Sequence, residues 1–120
     1  MEDSDLSSSV DIKGLPRALS QLRPLIKKAA GEILRAHGVE SFALSISFVS
    51  DAVISGINRA ALAREGPTDV IAFDLSEEGL SYEKVGDIYI SVDTATENSK
   101  RFRVSLPNEV LRLVIHGVLH

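Results

Sequence analysis

Two stretches of the chain alternate between apolar and small or polar residues, and this alternation constrains the fold more than any other feature. In FALSISFV (42–49), Phe42, Leu44, Ile46 and Phe48 fall on one side; in GDIYISVD (86–93), Ile88, Ile90 and Val92 do. A period of two belongs to a strand with one face in a core, because successive strand side chains point to opposite faces. DVIAFDL (69–75) reads as a third, mostly apolar strand, VDIK (10–13) as a short edge strand, and SEEGLSYEK (76–84) as a polar loop.

The intervening segments carry helical periodicity. From Pro16 to His37, apolar residues recur as Leu19, Leu22, Ile26, Ala29, Ile33 and Leu34, with Gly38 as a stop. Pro24 either kinks this helix or marks its true first turn. Ser50-Asp51 supplies N-cap chemistry for AVISGINRAALARE (52–65). Asp93 or Thr94 caps a short helix with Arg101 and Arg103 near its end. Ser105 then caps the last helix, PNEVLRLVIHGVLH, with Pro107 near its first turn and Glu109 suited to the positive end of the helix dipole.

Strands alternating with helices predict a single α/β (α+β) domain. Its centre is a mixed sheet of about four strands, flanked by helices. The 42–49, 69–75 and 86–93 strands should pair with one another, and 10–13 should lie at an edge. The last helix is apolar on most of its circumference and should be buried against the sheet. The chain has 120 residues, enough for one core. Residues 1–9, rich in Ser and Asp, read as a flexible tail before a 10–120 domain.

Composition removes several function classes. There is no Cys, which excludes disulfides, iron–sulfur clusters and thiolate zinc sites and leaves His and carboxylates as metal ligands. No apolar run reaches transmembrane length, and the acidic start is unlike a signal peptide, so a cytoplasmic protein without membrane attachment is expected. A net charge of −4 means that any nucleic-acid role requires a local basic patch.

His116 and His120 stand four residues apart, so both imidazoles project from one side of the last helix. Spacing alone is equally compatible with two structural histidines. Set among Val, Leu and Ile, however, buried imidazoles need hydrogen-bond or metal partners. Catalytic zinc commonly has three protein ligands and one open position. Gly117 stands where an H-E-x-x-H peptidase has its Glu, which disfavours that chemistry.

The order of further pieces adds to the pair. Asn58, Pro67-Thr68-Asp69-Val70 with Phe73, Gly86-Asp87-Ile88, Glu109 and His116-Gly117-x-Leu119-His120 follow one another. From Phe42 to His120 the chain resembles the YbeY family of bacterial zinc-binding endoribonucleases, which act in ribosomal RNA maturation and ribosome quality control. The resemblance implies that His116 and His120 are two Zn²⁺ ligands. The third is the last His of the signature H-G-x-L-H-L-x-G-Y-D-H. That His lies past His120, so the chain is expected to be truncated before it and to bind zinc weakly.

The resemblance also implies a single-strand-specific endoribonuclease whose partners are ribosomal RNA and the small ribosomal subunit. The family's aromatic-Arg pair falls on Ala61 and Leu62 here, and its L-S-F-P strand reads Ile71-Ala72-Phe73-Asp74. Arg59 and Arg64 flank the gap and are the candidate catalytic cations. Arg112, Thr68 and Asp69 are the candidate substrate-binding residues. With Lys100, Arg101 and Arg103, the three arginines are expected to form a positive cleft around the histidines. Glu109 reads as a helix N-terminal acid and His37 as a residue suited to a helix C-terminus. Two rival functions remain: a non-catalytic ribosome-associated binding module, and a zinc hydrolase of another substrate.

Overall fold

A computed structural model describes residues 8–77 and 83–120. Strand β1 (Ser9–Lys13) leads through a 3₁₀ segment (Arg17–Leu22) into α1 (Arg23–Ala36). Then follow β2 (Ser41–Val49), α2 (Asp51–Leu62), β3 (Val70–Asp74), β4 (Glu83–Ser91), α3 (Val92–Phe102) and α4 (Leu106–Leu119). The sheet order is β1-β2-β4-β3, with β1, β2 and β4 parallel and β3 antiparallel at the edge beside β4. This is the expected α/β architecture, with 10–13 at the other edge. The 42–49 and 69–75 strands do not pair directly; both pair with β4.

Register explains the alternation. Ile12, Ile46, Ile88 and Ala72 lie side by side across the four strands. That row belongs to the face covered by α1 and α4, where Ile26, Ala30 and Leu34 meet Val110, Leu113, Val114 and Val118 in one core. Ile54 of α2 and Ile71 of β3 are buried outside this cluster, and by strand alternation Ile71 faces the sheet's other side. On that side too, the Phe73 and Tyr89 rings meet edge to face at 6.1 Å.

Several boundaries differ from the sequence reading for local reasons. The Pro16–His37 segment is two pieces, and Pro24 sits in the first turn of α1, where its missing N–H is no loss. The His37 ring nitrogen lies 2.9 Å from the Ile33 carbonyl and closes that helix. Helix α2 stops at Leu62 rather than Glu65, because Ala63 is left-handed (φ 54°) and returns its N–H to Asn58 O. β4 begins at Glu83, inside the expected loop, through parallel pairing with Ser41. It ends at Ser91, whose hydroxyl accepts the Thr94 N–H at 3.1 Å; Ser91, not Asp93 or Thr94, is the cap of α3. Ser9 belongs to β1, and Ser8 Oγ accepts the Phe42 N–H at 3.2 Å. The rest of the expected tail, and residues 78–82 of the expected loop, lie outside the described residues. No helix among the described residues is long and apolar enough to cross a membrane.

Candidate active site

Helix α4 presents the histidines. Ser105 Oγ accepts the Asn108 N–H at 3.2 Å and Pro107 occupies the first turn, which fixes the helix start. The helical period then places Val110, Leu113, Val114, Gly117 and Val118 on a buried stripe. Arg112, Ile115, His116, Leu119 and His120 fall on the exposed side. The helix is buried against the sheet as expected, but along one stripe only. One side faces solvent, and the imidazoles carry no burial penalty.

Gly117 sets how closely that helix approaches the sheet. A Cβ at this position would stand 2.8 Å from Ile88 Cγ2 and 3.3 Å from Val70 Cγ2. Only glycine admits this contact without movement. The approach draws His116 and His120 beside edge strand β3, and with Val70, Ala72 and Gly117 they line a hollow of about 360 Å³.

Within it, the two Nε2 atoms are 3.1 Å apart, with ring centroids at 4.6 Å. Tetrahedral zinc with Zn–N bonds of 2.0–2.1 Å needs its nitrogens about 3.3 Å apart. The separation, and two nitrogens that already face each other, fit a shared metal ion. A single N–H···N hydrogen bond between opposite tautomers satisfies the same distance. Among the described residues, no group of three His, Asp or Glu side chains is placed to hold a metal.

Contacts at Glu109 and Arg112, one turn apart, hold α4 near its other end. Glu109 is 2% exposed and accepts from Arg112 Nε at 2.9 Å, Arg112 Nη2 at 2.7 Å and Asn98 Nδ2 at 3.1 Å. Asp69 Oδ2 lies 3.9 Å from Arg112 Nη2 and 3.5 Å from Asn98 Nδ2. The Arg112 hydrogen bonds hold the Glu109 carboxyl below the usual carboxylate range against the opposing effect of burial, and Asn98 adds to them. Glu109 and Asp69 in turn raise Arg112 above its ordinary value, Glu109 chiefly through its hydrogen bonds. Glu109 is thus a buried ion-pair anchor and not merely a helix N-terminal acid.

The α2–β3 connection forms a second hollow of about 330 Å³, lined among others by Asn58, Arg64, Thr68, Val70 and Ala72. Val70 and Ala72 stand in the walls of both hollows, so the two adjoin along the edge strand β3. Asn58 is 5% exposed. Its Nδ2 donates to Gly66 O at 3.1 Å, and its carbonyl accepts the N–H groups of Ala63 and, at 3.2 Å, Arg64. One residue therefore fixes both ends of the 63–66 turn. At the far ends of β2 and β4, Asp51 Oδ1 accepts from the Ser91 and Thr94 hydroxyls, each at 2.6 Å, and the Asp51 N–H donates to Asp93 Oδ2. This ties the starts of α2 and α3 together.

The sequence profile of the family described as Endoribonuclease YbeY matches residues 12–120. The chain belongs to the YbeY family. It is 37% identical over 95 residues to an endoribonuclease YbeY of Aquifex aeolicus, covering 79% of this chain and 63% of that one. It is 38% identical over 98 residues to that of Syntrophus aciditrophicus, covering 79% and 61%. Each of these two relatives is thus spanned over about six-tenths of its length. A Thermotoga maritima protein solved in solution superposes with a TM-score of 0.65 at 30% identity, covering 93% of this chain and 71% of that one.

Within this family frame the expected site residues separate into two groups. His116 and His120 converge, and Arg64 and Thr68 line the adjoining hollow. Arg112 and Asp69 instead meet Glu109 and Asn98, so two carboxylates face one guanidinium. Arg59 Nε lies 3.7 Å from Glu65 on the exposed surface. Of the cations expected around the histidines, Arg112 and Arg59 are charge-paired, and of the three arginines Arg64 alone has no ion pair among the described residues. Sequence reasoning missed Asn98 and the Asp51–Ser91–Thr94 cluster. Their partners lie far away in sequence, and no local pattern marks them.

Proposed function

We propose that this chain carries the ligand pair and groove of a zinc-dependent endoribonuclease that cleaves single-stranded ribosomal RNA in the cytoplasm, at the small ribosomal subunit. The observation that carries this reading is the convergence of the His116 and His120 Nε2 atoms at 3.1 Å on an exposed face beside an open groove. The relatives' name, endoribonuclease, supports RNA as the substrate.

In this reading His116 and His120 hold the metal, and bound zinc supplies Lewis acidity and water activation at neutral pH. The chain's own side chains position the substrate. The Arg112 fork is held by Glu109 through Nε and Nη2, which leaves Nη1 to meet a phosphoryl oxygen. Glu109, engaged by three donors and held deprotonated, acts as an anchor and not as a proton shuttle. Thr68 and Arg64 contact RNA farther along the groove.

The test is a zinc titration of the 120-residue chain and of a version extended by the family's L-x-G-Y-D-H, with cleavage of a ribosomal RNA fragment assayed in parallel. The extended protein is expected to bind zinc more tightly and to cleave. His116→Ala and His120→Ala are expected to remove both properties while shifting stability by no more than about 0.5 kcal/mol, because both side chains are exposed. Cleavage that survives His120→Ala would reject the zinc mechanism. Metal binding without cleavage would favour the binding module.

A further inference from the structure

The hollow between α2 and β3 adjoins that of the histidines through Val70 and Ala72, and its most buried polar residue is Asn58. Asn58 is 5% exposed and lines that hollow. The Gly66 carbonyl fixes the amide orientation, because only Nδ2 can donate to it. Oδ1 accepts no hydrogen bond among the described residues. A buried amide oxygen left in this state carries a desolvation cost that a donor from a ligand would remove. On the same hollow stands Arg64, whose backbone N–H is pinned to Asn58 O at 3.2 Å by a left-handed Ala63. Glu65 also reaches the hollow, but its carboxylate is turned to Arg59 Nε at 3.7 Å.

We infer that this hollow is a subsite for the nucleotide next to the one at the histidine pair, with Arg64 on its phosphate and Asn58 Oδ1 accepting from an O–H or N–H donor of its ribose or base. The inference rests on the ribonuclease reading of the site. The chemistry required is a phosphate plus one hydrogen-bond donor on the same nucleotide. The ribose 2′-hydroxyl and a base N–H are its two sources. A preorganised loop is suited to this role, because the ordering cost of binding is already met in the free protein.

The experiment is fluorescence anisotropy of the metal-free 120-residue chain with three labelled hexanucleotides over a salt series. They are oligouridylate, its 2′-deoxy counterpart, and an oligo(3-methyluridylate) whose bases have no N–H donor. Arg64→Gln is expected to weaken oligouridylate binding about five- to tenfold and to make the salt slope shallower by about one. Arg17→Gln, which makes the same charge change away from both hollows, is the control.

Wild type is expected to lose affinity severalfold for one of the two modified oligomers. Loss with the 2′-deoxy oligomer identifies the ribose, and loss with the methylated one identifies the base. Equal affinity for all three overturns the Asn58 contact. An Arg64→Gln protein indistinguishable from Arg17→Gln overturns the phosphate contact, even where zinc binding and cleavage at the histidines are established. A wild-type chain that binds none of the three overturns the subsite, whereas the ribonuclease reading stands or falls separately on zinc binding and cleavage by the extended protein.

Discussion

Replacing Gly117 by Ala tests the contact that brings the histidine helix onto the sheet. An added Cβ meets Ile88 Cγ2 at 2.8 Å, Val70 Cγ2 at 3.3 Å and Ile88 Cδ1 at 3.4 Å. Ile88 is 3% exposed and β-branched, with Ile46 and Ala72 beside it in register, so it has little room to turn away. Overpacking of this kind costs about 1–3 kcal/mol. Against it stands the helix-propensity gain of Gly→Ala, about 0.5–1 kcal/mol. The net expectation is a loss of about 0–2.5 kcal/mol.

Gly56, in the middle of α2, supplies the matching control, since a Cβ there meets nothing within 4 Å. Gly56→Ala should stabilise by about 0.5–1 kcal/mol. Urea unfolding of the wild type and both variants measures the difference, with equal m-values required for the comparison. The two substitutions are expected to move the midpoint in opposite directions. A Gly117→Ala protein stabilised like Gly56→Ala would refute the close approach, and with it the account of why the imidazoles stand beside β3.

Two further outcomes follow from the hydrogen-bonded clusters. Glu109→Gln should destabilise by about 1–3 kcal/mol at neutral pH, less than a fully buried ion pair because Arg112 keeps half its surface in water. Since the folded-state pKa of Glu109 is lowered, its contribution is complete above the unfolded carboxylate value of about 4.3 and is lost as pH falls through the folded value. Denaturant titrations from pH 7 to pH 3 should therefore show wild type and Glu109→Gln converging at the acid end; a constant gap would assign the loss to packing. Asp51→Ala should cost about 1–2 kcal/mol by leaving two hydroxyls without their acceptor, one of them on the fully buried Ser91, while Asp51→Asn keeps an acceptor and should lose less. Equal stability of the two variants would show that the cluster contributes nothing through Oδ1.

What the sequence made legible follows the range of the interaction. β2 was readable because its alternation is a local property, with Phe42, Leu44, Ile46 and Phe48 all inward. The first residues of β4 were not. Glu83, Lys84 and Val85 become a strand only by pairing with Ser41, Phe42 and Ala43, some forty positions earlier. The cap at Ser91 was hidden for a related reason: Val92 continues the alternation in phase, so the strand pattern runs one residue into a helix.

The site divides in the same way. The spacing of His116 and His120 and the i, i+3 spacing of Glu109 and Arg112 are local and visible. The donor that joins Arg112 in making Glu109 an anchor is Asn98, on another helix. Circumferential apolarity misled in one respect. It does not separate the buried stripe from Ile115 and Leu119, which are 38% and 56% exposed. That correction bears on function, because the original case for a metal was that buried imidazoles need a partner. Exposed imidazoles need none, so the case now rests on the 3.1 Å approach of two nitrogens. Exposure also answers a question that burial would have left open. A nitrogen pair sealed in the core could hold only a structural ion. A pair lining the wall of an open hollow has an unblocked side from which, in the proposed reading, a phosphodiester arrives.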